Sequence, residues 1–366
     1  MENKYVLKIT SILICLFVLG FSIFFMFNPK KEFSSNENRY LEKWPKYSFS
    51  NLEDGSYIKK VESYLTDHFI FRDNFMGIKT SYQQLIGLKK INNVYLGQDY
   101  LIEDFSKPIN TDKFIDKLNS FYLNNKDIKM NLMLVPNSIS INSSKLPFLA
   151  TSYDQKGLIT DIYDKVNFDS INVYDTIYDA NRNNQMYYRL DHHWTSTGAY
   201  LAYLEYCKAN GLEPNLNYKI KTVTDDFNGT LYSKANIYNM KADHIDIYEY
   251  NNNLNVIYND HTTNSLYEEK YLSVKDKYSY FLDNNHALIK IINKDVKTSK
   301  LLVIKDSYAN SFIPFLVNNY EEVHVIDPRY YNMSISDYIK ENKIDNVLFL
   351  YNLTSIDNNT GVFNLK

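Results

Sequence analysis

Residues 300–351 of this 366-residue chain read KLLVIKDSYANSFIPFLVNNYEEVHVIDPRYYNMSISDYIKENKIDNVLFLY. Short runs of Val, Leu, Ile and Phe alternate here with segments of helical apolar spacing. The pattern predicts strands at 300–305, 323–326 and 347–351, with helices at 308–318 and 334–342 between them. Strands that alternate with helices of about ten residues indicate a mainly parallel sheet with helices on both faces.

The same alternation continues toward the N-terminus. An amphipathic helical pattern at 113–124 precedes the apolar run KMNLMLV at 129–135, and a hairpin is predicted at 94–101. Between 215 and 292 the pattern changes to short alternating runs separated by Asn-rich turns, which predicts a β-rich insertion. We therefore expect an α/β domain over residues 88–366 that carries this insertion.

The N-terminal segment is different in kind. Residues 9–27 (ITSILICLFVLGFSIFFMF) carry no charge, and a helix of this length spans roughly the hydrocarbon core of a bilayer. Large side chains continue up to Asn28 without the small residues of a signal-peptidase site, which favours an uncleaved anchor. Residues 1–28 are therefore predicted to be a membrane anchor, and 29–87 a stalk followed by helices.

Composition narrows the choice of partners. The formal net charge is −3 and charges of both signs are interspersed, so the basic stripe that nucleic-acid binding needs is missing, and we expect no nucleic-acid partner. The chain has two cysteines, Cys15 and Cys207, and the first lies in the predicted anchor, so an intramolecular disulfide is not expected.

The segment YRLDHHWTSTGA at 188–199 places one carboxylate and two imidazoles in a turn before a predicted helix. An imidazole can take a proton from a hydroxyl, and a neighbouring carboxylate can hold its tautomer and stabilise the imidazolium. From the residues alone, either His192 or His193 can play this part with Asp191.

Ser307 is the candidate nucleophile, because it lies where an apolar strand ends and a helix is predicted to begin. A serine at such a turn exposes its hydroxyl beside the first amides of the helix, which can donate to a developing oxyanion. The alternative is that Asp306 caps the helix and Ser307 is an ordinary residue of its first turn.

The segment RLDHHWTSTGAY at 189–200 resembles the signature of the bacterial DHHW protein family. Its D-x-H-W core is similar to that of the alginate O-acetyltransferases AlgJ and AlgX, which have an SGNH-hydrolase-like fold with permuted motif order. Further segments resemble those proteins in the same order, at 37–41 (ENRYL), 67–73 (DHFIFRD), 94–97 (VYLG) and 305–316 (KDSYANSFIPFL). The resemblance implies an SGNH-hydrolase-like α/β fold for this chain.

The resemblance also implies roles for particular residues. It maps the catalytic triad onto Asp191, His193 and Ser307, and so prefers His193 to His192. Four further residues are candidates for oxyanion stabilisation or substrate binding, namely Asn352, Asn285, Arg329 and Tyr351. Asn285 lies in a stretch similar to a Gly-Gly-Asn segment of the family, although Asp283 and Asn284 replace the glycines. A turn role for the asparagines and an ion pair for Arg329 with Asp327 or Asp306 are equally open.

Binding of a metal ion is the alternative function for Asp191, His192 and His193. Adjacent residues rarely reach one ion comfortably, and neither an H-E-x-x-H motif nor a Cys/His cluster is present, so we expect no metal and no other cofactor.

The expected activity is that of a membrane-anchored extracytoplasmic O-acyltransferase that O-acetylates a cell-surface polysaccharide. By analogy with the alginate proteins, an MBOAT-type membrane acyltransferase is the expected partner. The alternatives are a carbohydrate esterase with the same triad and a non-catalytic surface protein that binds glycan.

Overall fold

The computed structural model of the chain describes residues 2–34, 39–237, 239–357, 361 and 365. Within the family-like segment 37–41, residues 37 and 38 lie outside the described residues. The chain divides into two compact units. Unit 1 takes in the described residues up to Gly87 together with Asn236 and Ile237, and unit 2 takes in the rest of the described chain.

Unit 1 is mainly helical. Its elements are α1 (Glu2–Phe27), β1 (Phe33–Ser34), β2 (Arg39–Tyr40), α2 (Phe49–Glu53), α3 (Ser56–Asp67) and α4 (Arg72–Leu85). The predicted apolar helix is present as α1. Its stretch Lys4–Phe27 has 24 residues, contains an 18-residue window with a mean hydropathy of 2.6, and is long and apolar enough to cross a membrane.

Unit 2 alternates strands and helices. Its first half contains β3 (Lys90–Ile91), β4 (Val94–Leu96), β5 (Leu101–Glu103), α5 (Thr111–Asn124), β6 (Lys129–Val135), α6 (Ser138–Ile141), α7 (Gln155–Tyr163), β7 (Asp169–Ser170), α8 (Tyr174–Ala180) and α9 (Ser196–Asn210). Its second half contains β8 (Lys219–Phe227), α10 (Thr230–Ala235), β9 (Asp243–Glu249), β10 (Leu254–Ile257), β11 (Thr262–Thr263), β12 (Leu288–Asn293), β13 (Lys300–Lys305), α11 (Ile313–Leu316), β14 (Glu322–Ile326), α12 (Ile335–Asn342) and β15 (Asn346–Asn352). Single 3-10 turns lie at Ser143–Lys145, Glu269–Ser273, Lys277–Tyr280, Ser307–Ser311 and Leu353–Ile356.

An eight-stranded mixed sheet forms the centre of unit 2, in the order β11-β10-β12-β14-β13-β15-β6-β7. The five strands from β14 to β7 pair in parallel, and β12, β10 and β11 extend that sheet in antiparallel fashion. The predicted parallel α/β core is therefore confirmed.

The sheet is buried on both faces because its central strands are nearly continuous apolar runs. Alternate side chains of β13 enter two separate hydrophobic clusters: Leu301 and Val303 on one face, Leu302 and Ile304 on the other. The first face packs against α9 and α11, and the second packs against α5, α7 and α12. Each face thus has its own helical layer, as expected for parallel strands.

Two elements differ from the sequence-based predictions. The helix predicted at 308–318 is broken into the 3-10 turn Ser307–Ser311 and the short helix α11. Pro314 lies in the first turn of α11, and its missing N–H and bulky ring prevent a continuous helix from passing through it.

The β-rich insertion is also different from the prediction. β8 and β9 form a separate two-stranded ribbon, but β10, β11 and β12 join the main sheet as its antiparallel edge. Alternating short runs are typical of half-buried antiparallel strands wherever they pair, so the pattern could not tell an insertion from a sheet extension. The predicted hairpin is confirmed, with Leu96 opposite Leu101 in β4 and β5.

Candidate active site

The candidate active site lies at the carboxyl ends of the parallel strands. β13 pairs in parallel with β15, and β15 with β6, so the ends of the three strands meet at one edge of the sheet. Side chains that follow parallel strands converge at such an edge. Ser307 follows β13 after a single residue and opens the 3-10 turn.

Asp306 caps this turn. Its carboxylate accepts the Tyr308 amide at 2.9 Å, the Asn352 amide at 2.7 Å and the Ser355 hydroxyl at 2.5 Å. Burial raises the pKa of Asp306 above its ordinary value. Asp306 is therefore the cap, as the alternative prediction states. The half-buried Ser307 hydroxyl takes no part in the capping and contacts another residue.

That partner is His193. Nε2 of His193 lies 2.8 Å from Oγ of Ser307, and Nδ1 of the same ring lies 2.6 Å from Oδ1 of Asp191. The structure thus brings the three predicted triad side chains into one hydrogen-bonded series, here called the acid–base row. It is His193 and not His192 that contacts the serine. In this geometry Nε2 can accept the hydroxyl proton while the carboxylate fixes the ring.

The turn that carries the row is fixed at both ends. Tyr187 and Trp194 form an isolated antiparallel bridge around it, and the Trp194 indole donates to the carbonyl of Tyr308 at 2.9 Å. Thr195 then caps α9 by accepting the amide of Gly198. The Trp194 contact joins the histidine turn directly to the serine turn, although more than a hundred residues separate them in the chain.

Thr230 supplies further hydrogen bonds to Asp191, and the sequence analysis did not identify it. Its amide and its hydroxyl donate to Oδ2 of Asp191 at 2.7 and 3.0 Å. Gly229 makes this approach possible, because a Cβ there would lie 2.3 Å from Cβ of Asp191. Asn228-Gly229-Thr230 is a recognisable turn before a helix, but nothing in the sequence connects it to Asp191.

Tyr278 was also missed. Its ring stacks on the imidazole of His193, with centroids 3.7 Å apart and planes 10° apart. Its hydroxyl lies 3.2 Å from the carbonyl of Ser307 and 3.1 Å from Oγ of Ser311. The residue thus holds both the base and the serine turn, but it is one of 34 tyrosines and carries no distinguishing signal in the sequence.

The ionisation states of the row follow from burial and charge. Burial opposes ionisation of Asp191, but the two imidazoles and the hydrogen bonds outweigh it and hold the pKa of Asp191 far below its ordinary value. Burial, with the adjacent His192, lowers the pKa of His193 to about 4. At neutral pH the carboxylate is therefore charged and the imidazole neutral, which is the state that can take a proton from serine.

His192 occupies a different position. Its Nδ1 lies 2.6 Å from the hydroxyl of Thr230, and its ring centre lies 3.9 Å from that of His193. Its side chain is 30% exposed, whereas that of His193 is 6% exposed. The backbone carbonyl of His192 accepts the Tyr308 hydroxyl.

The two predicted residues at the end of β15 are buried. The Asn352 amide group donates to the carbonyl of Val135 at 3.1 Å, and its side-chain oxygen accepts from Asn137 at 2.7 Å. Asn352 thus links the ends of β15 and β6. Tyr351 is fully buried in the second hydrophobic cluster, where burial raises its pKa well above the ordinary value.

Asn285 and Arg329 belong to a second polar group, here called the lysine cluster and defined by Lys305, Asp327, Arg329, Asn285 and Asn310. Nζ of the fully buried Lys305 donates to Asn285 at 2.7 Å and to Asn310 at 2.8 Å, and lies 3.5 Å from Asp327. Burial lowers the pKa of Lys305 to about 8, against the opposing effect of Asp327. Arg329 donates to both oxygens of Asp327, so of its two predicted ion-pair partners the structure selects Asp327.

A metal ion has a possible set of ligands in the described part of the chain. Ligand atoms of Asp191, His192 and His193 lie within 4.8 Å of one another. Both nitrogens of His193 and both oxygens of Asp191 are already hydrogen-bonded, so a metal there would have to displace Ser307 or Thr230.

A family model described as DHHW protein matches residues 91–326, which is more than half of the chain and includes all three residues of the row. No match was found among curated proteins.

Solved structures share the fold. A DHHW family protein from Eubacterium siraeum matches with a TM-score of 0.68 and 23% identity, over 75% of this chain and 96% of that chain. Bacillus cereus PatB1 matches with a TM-score of 0.62 and 20% identity, over 75% and 99% of the two chains, and it is also known with a sulfonyl adduct. The O-acetyltransferase domain of Pseudomonas putida AlgJ matches more weakly, with a TM-score of 0.48 and 13% identity over 75% of this chain and 95% of that chain.

Proposed function

The chain belongs to the DHHW protein family, and we propose that it is a serine-dependent O-acyltransferase that acetylates a cell-surface polysaccharide. The observation that carries the proposal is the acid–base row, in which one imidazole nitrogen bonds the serine at 2.8 Å and the other bonds a buried carboxylate at 2.6 Å. This is the arrangement that activates a serine hydroxyl.

The proposed reaction has two steps. In the first, the Ser307 hydroxyl attacks the carbonyl of an acyl donor and its proton passes to Nε2 of His193, which then gives it to the departing alcohol of the donor. In the second, a sugar hydroxyl attacks the acyl group on Ser307, its proton passes to the same nitrogen, and that proton returns to Oγ as the serine leaves. Asp191 stabilises the imidazolium in both steps.

The negative oxygen of each tetrahedral intermediate needs hydrogen-bond donors. The amide of Ser307 is the first candidate. Of the two predicted asparagines, Asn285 is the better second candidate, because its side chain is half-buried and its oxygen is fixed by Lys305. Its nitrogen donates to the exposed neighbour Asn284 at 3.1 Å, a bond that an oxyanion can replace. The carboxamide of Asn352 is buried and its oxygen and nitrogen are both bonded to other strand ends.

The location of the reaction is part of the proposal. The length and hydropathy of α1 support a single-pass N-terminal anchor, and we place the catalytic unit on the extracytoplasmic side, where surface polysaccharide is found. In line with the resemblance to the alginate proteins, the acetyl group would come through an MBOAT-type membrane acyltransferase.

The chemical class of the reaction agrees with the adduct in the PatB1 structure. Sulfonyl reagents form covalent adducts with activated nucleophiles, and PatB1, which shares the fold, is known with such an adduct. A sulfonyl fluoride is therefore a suitable probe for this chain.

The test uses the full-length protein in detergent with an acetyl ester as donor and an oligosaccharide as acceptor. Mass spectrometry is expected to find acetylated oligosaccharide with wild type and none with Ser307→Ala. Release of acetate without any acetylated sugar would mean that the protein is an esterase and not a transferase. No acetyl turnover by folded protein would leave the glycan-binding alternative. Loss of activity on addition of EDTA would mean that the reaction depends on a metal ion and not on the proposed serine mechanism.

A further inference from the structure

Asp191 serves two imidazoles and not one. Its Oδ1 lies 2.6 Å from Nδ1 of His193, and its Oδ2 lies 3.0 Å from the Thr230 hydroxyl, which in turn lies 2.6 Å from Nδ1 of His192. The mechanism proposed above uses only the first of these two branches.

The hydrogen bonds fix the tautomer of His192. An ionised carboxylate can only accept, so the single hydroxyl proton of Thr230 must point to Asp191. If the Thr230 oxygen also faced a bare Nδ1, two lone pairs would meet at 2.6 Å. Nδ1 of neutral His192 therefore carries the proton and donates it to Thr230, which leaves a lone pair on Nε2.

His193 has the same tautomer for the same reason. Its Nδ1 donates to Asp191, and its Nε2 accepts from Ser307. The site thus presents two neighbouring imidazoles that both have a bare Nε2, with ring centres 3.9 Å apart.

The two rings differ in their access to solvent. His193 is buried beneath Tyr278, whereas the side chain of His192 is 30% exposed. Since Nδ1 of His192 faces Thr230, Nε2 lies on the far side of the ring from that contact. His192 and Ser307 are both partly exposed, so an incoming acceptor can reach both of them.

We propose that His192 is the binding site for the second hydroxyl of a sugar that carries two adjacent hydroxyl groups. One hydroxyl attacks the acyl group on Ser307 and gives its proton to His193, as above. The neighbouring hydroxyl donates a hydrogen bond to Nε2 of His192 and undergoes no chemistry. This inference rests on the proposed acyl transfer and names the class of acceptor, a vicinal diol.

Such a bond should favour a diol over its monodeoxy counterpart by about 5- to 13-fold, since one hydrogen bond contributes about 1–1.5 kcal/mol. The experiment measures the ratio of transfer rates from acetylated enzyme to a methyl glycoside and to the same glycoside lacking one hydroxyl. The amplitude of the acetyl-enzyme burst in each sample gives the concentration of active sites that can form the acetyl-enzyme.

Three variants are compared with the full-length wild type. His192→Phe keeps a ring but removes the acceptor nitrogen, so the ratio should fall to about one. His192→Gln keeps a hydrogen-bond acceptor and should restore part of the preference. His244→Phe alters an exposed histidine of β9 that pairs with Asp246, and should leave the ratio at its wild-type value.

The outcomes separate the two proposals. A normal burst with the same ratio in wild type and His192→Phe overturns the diol site while acyl transfer stands. Absence of any burst in wild type overturns the proposed function and this inference with it.

A second and independent observation concerns unit 1. The rings of Phe69 and Phe71, between α3 and α4, lie 5.2 and 6.4 Å from those of Phe21 and Phe24 in α1. Phe71 has a left-handed backbone (φ 57°), which is unfavourable for a bulky residue, and yet its side chain remains 63% exposed.

These contacts fix a depth if α1 spans a bilayer. Phe21 lies six residues before the end of α1 at Phe27, which at about 1.5 Å per residue places it about 9 Å inside the span. A side chain that touches Phe21 therefore reaches the same depth. Helices that lie at a membrane surface bury their apolar face by about 5–10 Å.

The exposed apolar residues of α4 continue from this corner along one stripe. Phe71, just before α4, is followed at intervals of four and three residues by four residues of the helix, each more than half exposed: Phe75, Ile78, Tyr82 and Leu85. We infer that the α3–α4 corner and this stripe insert into the bilayer surface beside α1. Charged residues of both signs flank the stripe, so the contact is apolar and needs no anionic lipid.

The test places full-length protein in phosphatidylcholine nanodiscs and attaches one nitroxide label at a time, after Cys15 and Cys207 are replaced by Ser. Labels at Phe75→Cys and Ile78→Cys should collide with oxygen more than with a water-soluble nickel complex. A label at Leu123→Cys, on the exposed face of α5, should behave in the opposite way.

A label at Leu13→Cys reports on α1 itself. Nickel access at positions 75 and 78, with position 13 protected, overturns the insertion of the corner while the anchor stands. Nickel access at position 13 as well overturns both.

Discussion

Two polar clusters lie at the same edge of the sheet and start from the same strand end, yet they use their hydrogen bonds differently. In the lysine cluster, the charge of Lys305 is enclosed by Asn285, Asn310 and Asp327, and Asp327 is also bound by Arg329. In the acid–base row, the chain of bonds ends on the half-buried Ser307 hydroxyl. In the first cluster the buried Lys305 charge has its partners within the cluster, whereas the second ends on a hydroxyl that is open to solvent.

The comparison shows that burial and charge alone do not identify a catalytic group. Lys305 and Asp191 are both fully or nearly fully buried, and both have strongly shifted pKa values. What distinguishes the row is that a buried carboxylate is linked through a neutral imidazole to a partly exposed hydroxyl, which is the basis for proposing Ser307 as the nucleophile. We expect substitutions in the row to reduce activity, and loss of the buried Lys305–Asp327 pair to reduce stability.

The largest effect is expected from Ser307→Ala. Loss of the nucleophile should reduce acetyl transfer by about 10⁴-fold or more with little change in thermal stability. Ser140→Ala is the matched control, since Ser140 is a buried serine after β6 whose hydroxyl bonds Tyr174 at 2.7 Å. Residual transfer above about a tenth of the wild-type rate in Ser307→Ala would contradict the assignment.

Asp191→Asn comes next. The amide of an asparagine can donate to Nδ1 of His193, which favours the tautomer with a proton on Nε2, facing Ser307, and that proton blocks base catalysis. We expect a loss of about 10³- to 10⁴-fold in the rate of acyl-enzyme formation. The burst phase with a chromogenic acetyl ester measures this rate. A wild-type burst rate would show that Asp191 does not set the tautomer.

Asp327→Asn makes the same isosteric change in the lysine cluster. It leaves Lys305 and Arg329 without their counter-charge, and breaking a buried pair in this way costs about 3–5 kcal/mol of unfolding free energy. Denaturant titration of this variant and of Asp191→Asn gives the comparison directly. A larger stability loss in Asp191→Asn than in Asp327→Asn would reverse the roles of the two clusters.

The pH dependence of acyl-enzyme formation tests the burial of His193. The imidazole can act as a base only when neutral, and its lowered pKa keeps it neutral down to about pH 4. The rate should therefore stay level from neutral pH down to about 4 and fall about tenfold per pH unit below that. A decline centred at the ordinary histidine value would mean that the imidazole is solvated.

The smallest effect is expected at the ring that covers the base. Tyr278→Leu removes the aromatic stack on His193, an interaction of about 0.5–1.5 kcal/mol, so acyl-enzyme formation should slow by about 2- to 12-fold. Tyr278→Phe keeps the ring and should remain closer to wild type. Equal losses in the two variants would assign the effect to the hydroxyl and not to the stack.

The sequence predicted the strands of unit 2 well, because β6, β13 and β15 are continuous apolar runs whose burial leaves few alternatives. The sequence-based predictions were wrong where a single residue or the pairing of distant strands decides the structure. Pro314 breaks the helix predicted after Ser307, and the edge position of β10–β12 depends on which strand they pair with.

The candidate site was predictable to the extent that its residues form contiguous motifs. Asp191, His193 and Ser307 could be proposed because two short segments carry them and resemble a family. Thr230 and Tyr278 contact the row only through the fold, 39 and 29 residues away along the chain from the groups they bond. Asn352 and Arg329 lie at or just after strand ends, as expected, and their part in a site stays a prediction. Their hydrogen-bond partners depend on distances that no sequence pattern contains.

The most direct test of the account is to identify the residue that a sulfonyl fluoride modifies. Full-length native protein is treated with the reagent and digested, and the adduct is located by tandem mass spectrometry, with His193→Ala as the control. We predict one adduct, on Ser307, that forms rapidly in wild type and at least about a hundredfold more slowly without the base. Stoichiometric modification of another residue, or an unmodified Ser307 in folded protein, would contradict the central claim.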